Sequence, residues 1–424
     1  MNHALFMGTL LAFTSIRFAA AATSVEDSNF VRAEVPQRHS VFGSSVAIEG
    51  NVAVVGAYCA RPSFATDLDP NCIGDAYVFE KDPDERWIQK LSLVSLIPES
   101  QRKNIRLSGS LCGASVAISG DRAAVGCAFW SYIGSVFTFR REAGTWIFDQ
   151  IILGDRSAGD YHFGQRLALQ GSTLVVGNFE SNNGSGSVSV FELEGTNWTK
   201  VARFSGDPAS HEALGLSVAI DGSSIIAGAP YWTTNRSLGV PAQGRVRTYV
   251  RSKLNGEWTA KSVIYSPDGV PSFGSAVAVS GNSLAVGASR GDGRVYSFSM
   301  LNSGDTEWRF MTSIANPIPT RSDTAYFGSS LAMSGDTLVV GAPSNNSSTE
   351  AIPEKGAVHV FKRSLHGEWT LDVSLVSSET GDSFGDSVGV GSLSEWIAGA
   401  PSKDVDSGAF YSHLVPKDIP ITVR

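Results

Sequence analysis

Beyond its first 22 residues the chain lacks any run near the 18 or so consecutive apolar residues that a membrane-crossing helix needs, so no helical span is expected there. A basic surplus is missing too. Thirty-three Lys and Arg stand against 41 Asp and Glu, a net charge of −8, which makes nucleic acid an unexpected partner. Helical periodicity of useful length is absent. Charged residues are few at 17%, but 42% hydrophobic residues are enough to bury a core, which excludes disorder. The 44 glycines follow no collagen period and point instead to many tight turns.

What is present first is an export leader. In residues 1–22, His3 and Arg17 are the only candidate basic side chains, residues 5–13 form an apolar core broken by Gly8 and Thr9, and Ala19 to Ala22 supply small residues for cleavage. A secreted product of one domain, residues 23–424, is expected. Glycosylation acceptors of the N-x-[ST] form stand at Asn183, Asn197, Asn235, Asn345 and Asn346, in loop-like contexts. The four cysteines allow three pairings. Cys59–Cys72 and Cys112–Cys127 are favoured, because each staples one local loop or hairpin in an oxidising compartment.

Self-similarity decides the architecture. An apolar, aromatic or Cys residue followed by Gly recurs at Phe42-Gly43, Cys112-Gly113, Phe163-Gly164, Leu214-Gly215, Phe273-Gly274, Phe327-Gly328 and Phe384-Gly385. From Gly43 to Gly385 is 342 residues, six steps of about 57. Each unit runs on through an alternating strand such as Ser45-Val46-Ala47-Ile48, a polar turn such as Glu49-Gly50-Asn51, and a second apolar strand ending in Gly. A third strand starts behind a further Gly, and a fourth is announced by Trp87, Trp146, Trp198, Trp258, Trp308 and Trp369. These indoles are expected to cover the outer edge of each sheet. Four strands in each of seven units predict an all-β, seven-bladed β-propeller. The seventh unit lacks its tryptophan strand, so residues 30–35 are expected to supply the outer strand of the last blade and close the ring.

Phe42-Gly43, Gly228-Ala229-Pro230, Gly341-Ala342-Pro343 and Gly399-Ala400-Pro401 resemble the FG-GAP repeats best known from the propeller heads of integrin α-subunits. Pieces such as Gly381-Asp382-Ser383-Phe384-Gly385 are similar to a secreted subfamily. The resemblance spans residues 30–413 and implies the same propeller and an extracellular binding or adhesion role. One departure matters. The family's D-x-D-x-D-G calcium loop between first and second strands is replaced here by tight turns such as Asp221-Gly222-Ser223, with too few carboxylates for a calcium shell.

Candidate chemistry is sparse. Asp67, Asp69, Asn71 and Asp75 alternate as calcium ligands do, but between second and third strands; the alternative is a solvated loop pinned by a disulfide, and no other cofactor is expected. Arg290-Gly291-Asp292 is the tripeptide that integrins recognise, or an ordinary Gly-rich turn. Gly381 to Gly385 matches G-x-S-x-G, yet leads into a strand and not a helix, which argues against a nucleophile. His39, His162 and His211 precede corners on one face, where three imidazoles could meet a metal or simply be solvated. Asp160, Asp207, Asp323 and Asp382 share those loops and read as turn caps.

The long connections 57–74, 230–244 and 343–356, with 96–111, gather on one face and differ from blade to blade. Tyr231-Trp232 is their most promising exposed aromatic pair for sugar stacking or a protein hot spot, the alternative being loop packing. A monomeric, non-enzymatic propeller that binds an extracellular protein or glycan is the leading reading. A lectin with sites between blades is the alternative. An axial-channel lyase or hydrolase is disfavoured, since the first strands place mainly Ser, Ala, Val and Leu in the channel.

Overall fold

The computed structural model describes residues 23–26, 30–62, 73–104, 110–128, 133–233, 242–291, 293–300, 307–318, 325–343, 355–392 and 394–413. Seven antiparallel sheets follow one another along the chain. Blade 1 is Phe42–Glu49, Val52–Ala57, Asp75–Lys81 and Trp87–Ser92, running outward from the axis. Blades 2 to 6 occupy 112–153, 166–205, 217–265, 273–315 and 330–377 in the same order, and blade 7 is Val388–Val390, Trp396–Ala400 and Ala409–His413 with Phe30–Val31 outermost. Among the described residues α-helix is limited to Glu99–Asn104, Ser181–Gly184 and Lys403–Asp406, with 3-10 turns at Val94–Leu96 and Arg156–Ala158. The chain is therefore a seven-bladed β-propeller, as the repeat predicts.

A single four-stranded sheet cannot hide its apolar faces alone, so each blade buries them against its neighbours. Phe42, Phe163, Phe273, Phe327 and Phe384 of the corner motif are fully enclosed there. In blade 2 Cys112 takes the place of the ring and is bonded to Cys127 on the adjacent strand. Where apolar packing meets backbone, the seam needs glycine. A Cβ built on Gly56 would stand 2.1 Å from the carbonyl of Gly113 in the next blade, and one on Gly399 would stand 1.9 Å from that of Gly43. No side chain fits there.

Hydrogen bonds reinforce the seam at both ends. Near the corner, Ser45, Ser217, Ser330 and Ser387 donate to the carbonyls of Gly113, Gly274, Gly385 and Gly43 in the following blades, at 2.7 to 2.9 Å. At the opposite face the polar hairpins interlock: Glu49 accepts from the Gly120 amide at 2.8 Å, Ser119 from Gly171 at 3.0 Å, Gln170 from Gly222 at 2.6 Å and Ser280 from Gly335 at 3.0 Å. The tryptophans belong to this seam as well, which corrects the expectation that they cover outer edges. Trp146 packs with Val52, Val54 and Val78 of blade 1, and Trp198 with Ala124 and Val136 of blade 2. Trp258 and Trp369 donate their indole N–H to Glu192 (2.9 Å) and Ser297 (3.0 Å) of the preceding blades. An indole is long enough to reach past its own sheet, and burial between two sheets stabilises it more than an exposed edge would.

Ring closure uses the N-terminal segment twice. Phe30–Val31 pairs antiparallel with the third strand of blade 7, shorter than the expected 30–35 but in the expected place. The Phe30 ring meets Phe384 (5.5 Å) and Tyr411 (6.1 Å), and the fully buried Lys403 ammonium lies 4.5 Å from its centre while pairing with Glu379 at 2.9 Å. Thr23–Val25 adds a fifth, parallel strand to the outside of blade 6. Residue patterning gave no sign of it.

One in-phase feature carries strain. Val41, Leu111, His162, Ala213, Ser272, Tyr326 and Ser383, each just before a corner, all have φ between 52° and 62°. The left-handed region costs a non-glycine residue about 1–2 kcal/mol, and the surrounding seam must hold it.

His359 on the third strand of blade 6 is wholly buried. Its Nδ1 lies 2.8 Å from the Ser374 hydroxyl, its Nε2 has no partner among the described residues, and burial lowers its pKa from 6.5 to about 4.

Two outcomes are expected. Gly56→Ala should destabilise the fold by about 3 kcal/mol or more, since backbone must move, whereas Gly50→Ala, whose Cβ meets nothing within 4 Å at φ +58°, should cost about 1 kcal/mol; chemical denaturation compares them, and equal losses would refute the seam argument. Between pH 6.5 and 4 the unfolded chain takes up a proton that folded His359 refuses, so its contribution falls by about 1.4 kcal/mol per unit as pH drops. Asp75, raised to about 7, pulls the other way, but equally in both proteins. The stability of wild type relative to His359→Leu should therefore decline between pH 6.5 and 5 in urea titrations; parallel curves would contradict a buried neutral imidazole.

Candidate functional site

Alternating strand direction sends every connection between second and third strands, and every connection between blades, to the same face. Two cavities on that face are built from described residues. The first, about 500 Å³, opens between blades 3 and 4 and is lined by Phe179, Glu180, His211, Tyr231 and Thr233 among others. Its walls are built on a rigid base. Asp160, buried, accepts from Arg203 at 2.7 Å and from Ser181 at 3.3 Å; Glu212, also buried, accepts from Arg245 at 2.6 Å, from Arg247, and from the Asp207 amide at 2.9 Å. Asn182 and Asn183, at φ 49° and 58°, let the loop fold back so that the Asn183 carbonyl meets His211 Nδ1 at 2.6 Å. Glu180 is held by His162 and by Gln165 at 3.4 Å.

The aromatic pair expected to be exposed is split, a correction to the sequence reading. Tyr231 presents its ring to solvent at 52% exposure, whereas Trp232 is half-buried between the Arg245 guanidinium (4.9 Å) and the Tyr265 ring (5.0 Å). Trp232 shapes the loop; Tyr231 is free to meet a ligand.

The second cavity, about 460 Å³, is the mouth of the axial channel. Its lining repeats sevenfold: Val46, Val116, Leu167, Val218, Val277, Leu331 and Val388 form one ring, and the seam serines form another. Two charged residues interrupt the Ser, Ala, Val and Leu that predominate in it. Arg166 stands where other blades carry seam serines, and Asp386 where they carry Ser44, Ser275 or Ser329. The protein around Asp386 pushes its carboxyl up to about 6, against the pull of Arg166. Tyr58 at the same mouth is raised by burial and then by Asp386 and Asp406. Only alignment of the seven first strands could have revealed this pair.

Other sequence candidates fall elsewhere. Asp75 is buried, with its carboxylate taking bonds from Ser92 (2.6 Å), the Ala76 amide (2.7 Å) and the Val94 amide (3.3 Å). Asp67, Asp69 and Asn71 lie outside the described residues. Among the described residues no three His, Cys, Asp or Glu side chains converge as a metal site would require. His39 pairs with Asp406 at 3.4 Å, away from the partners of His162 and His211. Arg290 is exposed in its turn, and Asp292 lies outside the described residues. Ser383 donates to Ser402 at 3.3 Å, and Asp382 is buried on the Phe384 amide, so Gly381 to Gly385 is a corner. Asp323 lies outside the described residues. Asn183 and Asn197 are exposed; Asn235, Asn345 and Asn346 lie outside. Cys59 is disulfide-bonded, and Cys72 lies outside.

No helix of the described residues is long and apolar enough to cross a membrane. No curated protein matches the chain. Among solved structures, similar folds are a proposed 6-phosphogluconolactonase from Bacteroides uniformis ATCC 8492 (TM-score 0.57, 12% identity, 86% of this chain and 92% of that one), a chain of the mitotic checkpoint complex (0.54, 14%, 96% and 99%) and a protein from Lactobacillus plantarum (0.52, 11%, 86% and 92%). At such identities the likeness shows the fold alone. Residues 33–79, 148–191 and 321–361 match the FG-GAP repeat family, each beginning ahead of a corner and ending on a third strand. The chain is thus a seven-bladed β-propeller in which three stretches, in phase with its blades, match the FG-GAP repeat.

Proposed function

We propose that the protein is a secreted, non-enzymatic binding propeller that takes an extracellular protein or glycan on its long-loop face, with the cavity between blades 3 and 4 as its reading site. The observation that carries this is Tyr231: an exposed ring on the wall of a 500 Å³ cavity that also holds His211 and Glu180. An aromatic face beside fixed polar groups suits sugar stacking and suits a protein hot spot. The leader-like start, the exposed acceptors Asn183 and Asn197, and the Cys112–Cys127 bond support export. A net charge of −8 speaks against nucleic acid.

A lectin with sites between blades is the alternative, and the position of this cavity favours it. Its lining does not recur around the ring, which fits one site better than seven. An enzyme acting in the axial channel draws support only from Arg166 and Asp386.

Binding of the full chain to a glycan array and to immobilised extracellular-matrix proteins tests the reading. Wild type should bind a member of one class, and Tyr231→Ala should weaken that binding tenfold or more, about 1.4 kcal/mol. Silence across both sets, or binding indifferent to Tyr231, would sink it.

A further inference from the structure

Sevenfold repetition brings seven copies of every lining position to the axis, so a charge found once is something the ring itself does not require. Two residues after the corner glycine, blades 1, 2, 4, 6 and 7 carry serine and blade 5 carries Ala276; blade 3 alone carries Arg166. One residue after it, Ser44, Ala114, Gln165, Leu216, Ser275 and Ser329 are neutral, and blade 7 carries Asp386. Arg166 also forgoes a contact the fold uses elsewhere, since the seam serines bond the next blade's corner glycine. Blades 3 and 7 are three steps apart one way around the ring and four the other, and both side chains line the channel mouth.

Both have capacity to spare. Arg166 donates through Nη1 to its own neighbour's carbonyl, Gln165, at 2.8 Å, and its Cζ lies 5.7 Å from the Phe179 ring. Among the described residues none donates a hydrogen bond to the Asp386 carboxylate, and Arg166 reaches it only through space. Both side chains are exposed to the channel mouth, where a ligand can reach them. The four seam hydroxyls point their protons at backbone, so they are poorly placed to donate to a neutral sugar.

We propose that the channel mouth binds a small zwitterion, whose carboxylate meets Arg166 and whose ammonium meets Asp386. A simple anion would satisfy Arg166 and repel Asp386; a simple cation would do the reverse. A guest with both signs answers both charges and brings no net charge into the channel. The Val46, Val116 and Leu167 ring gives its aliphatic spacer an apolar collar, and about 460 Å³ accommodates such a molecule with water.

Calorimetric titration of the full chain at neutral pH tests this with ω-amino acids from glycine to 6-aminohexanoate, each beside the carboxylate and the amine of equal carbon number. At least one amino acid should bind tenfold or more tightly than either monovalent analogue. Arg166→Ser and Asp386→Ser, which restore residues that other blades carry, should each weaken it tenfold or more. Arg166→Ser can remake the seam bond to Gly215, so its Tm should equal or exceed that of wild type, separating lost binding from lost fold. Tyr231→Ala should leave amino-acid affinity unchanged, keeping this site distinct from the loop-face cavity. No binding at about 10 mM, equal binding of a carboxylate alone, or affinity unaltered in both serine variants would overturn the proposal.

Discussion

The ring exists because backbone touches backbone where neighbouring blades meet. At Gly56, Gly126, Gly177, Gly228, Gly287, Gly341 and Gly399 even a methyl group would fall 1.9 to 2.2 Å from the corner-glycine carbonyl of the next blade. That distance fixes how closely two sheets approach, and so how many fit around the axis. Apolar burial supplies the driving force along the rest of the seam, but it tolerates a range of spacings. Missing side chains do not.

Polar groups then make the spacing specific. Serines at the corner bond across the seams that follow blades 1, 4, 6 and 7, polar residues before the hairpin turns bond across those that follow blades 1, 2, 3 and 5, and indoles pack between blades as well. Burying so many hydroxyls is acceptable because each finds a backbone partner. The same logic isolates Arg166. A guanidinium standing at a seam position cannot be explained by the seam, and it shares the channel with the one carboxylate that the pattern also leaves unexplained.

Much of this was legible in the chain, and the reasons differ by residue. The corner glycines announced the blade count because a backbone constraint repeated seven times leaves a period that drift in other residues cannot erase. Phe30 betrayed the closing strand by its phase relative to Phe42. The tryptophans were visible but their destination was not, since spacing along a strand does not say which of two sheets a long side chain joins. Thr23–Val25 is too short for any pattern, and only its parallel pairing with Leu375 to Ser377 identifies it. The left-handed residues before the corners stayed hidden because Val41, Leu111 and Tyr326 are not residues that favour that conformation. Trp232 and Tyr231, adjacent in sequence, parted company through Arg245 and Tyr265, which lie on other strands.

The closing strands have a consequence for biosynthesis. Phe30 pairs with Tyr411 and Thr23 with Leu375, so the first described residues wait for the last to be made. At ribosomal rates of about 5–20 residues per second, that wait lasts roughly 20–80 s. During it, the nascent protein is an open arc with one unpaired blade edge at each extremity. A cell that makes this chain must shield those edges until the final turn of synthesis, or move the polypeptide unclosed to the compartment where it shuts.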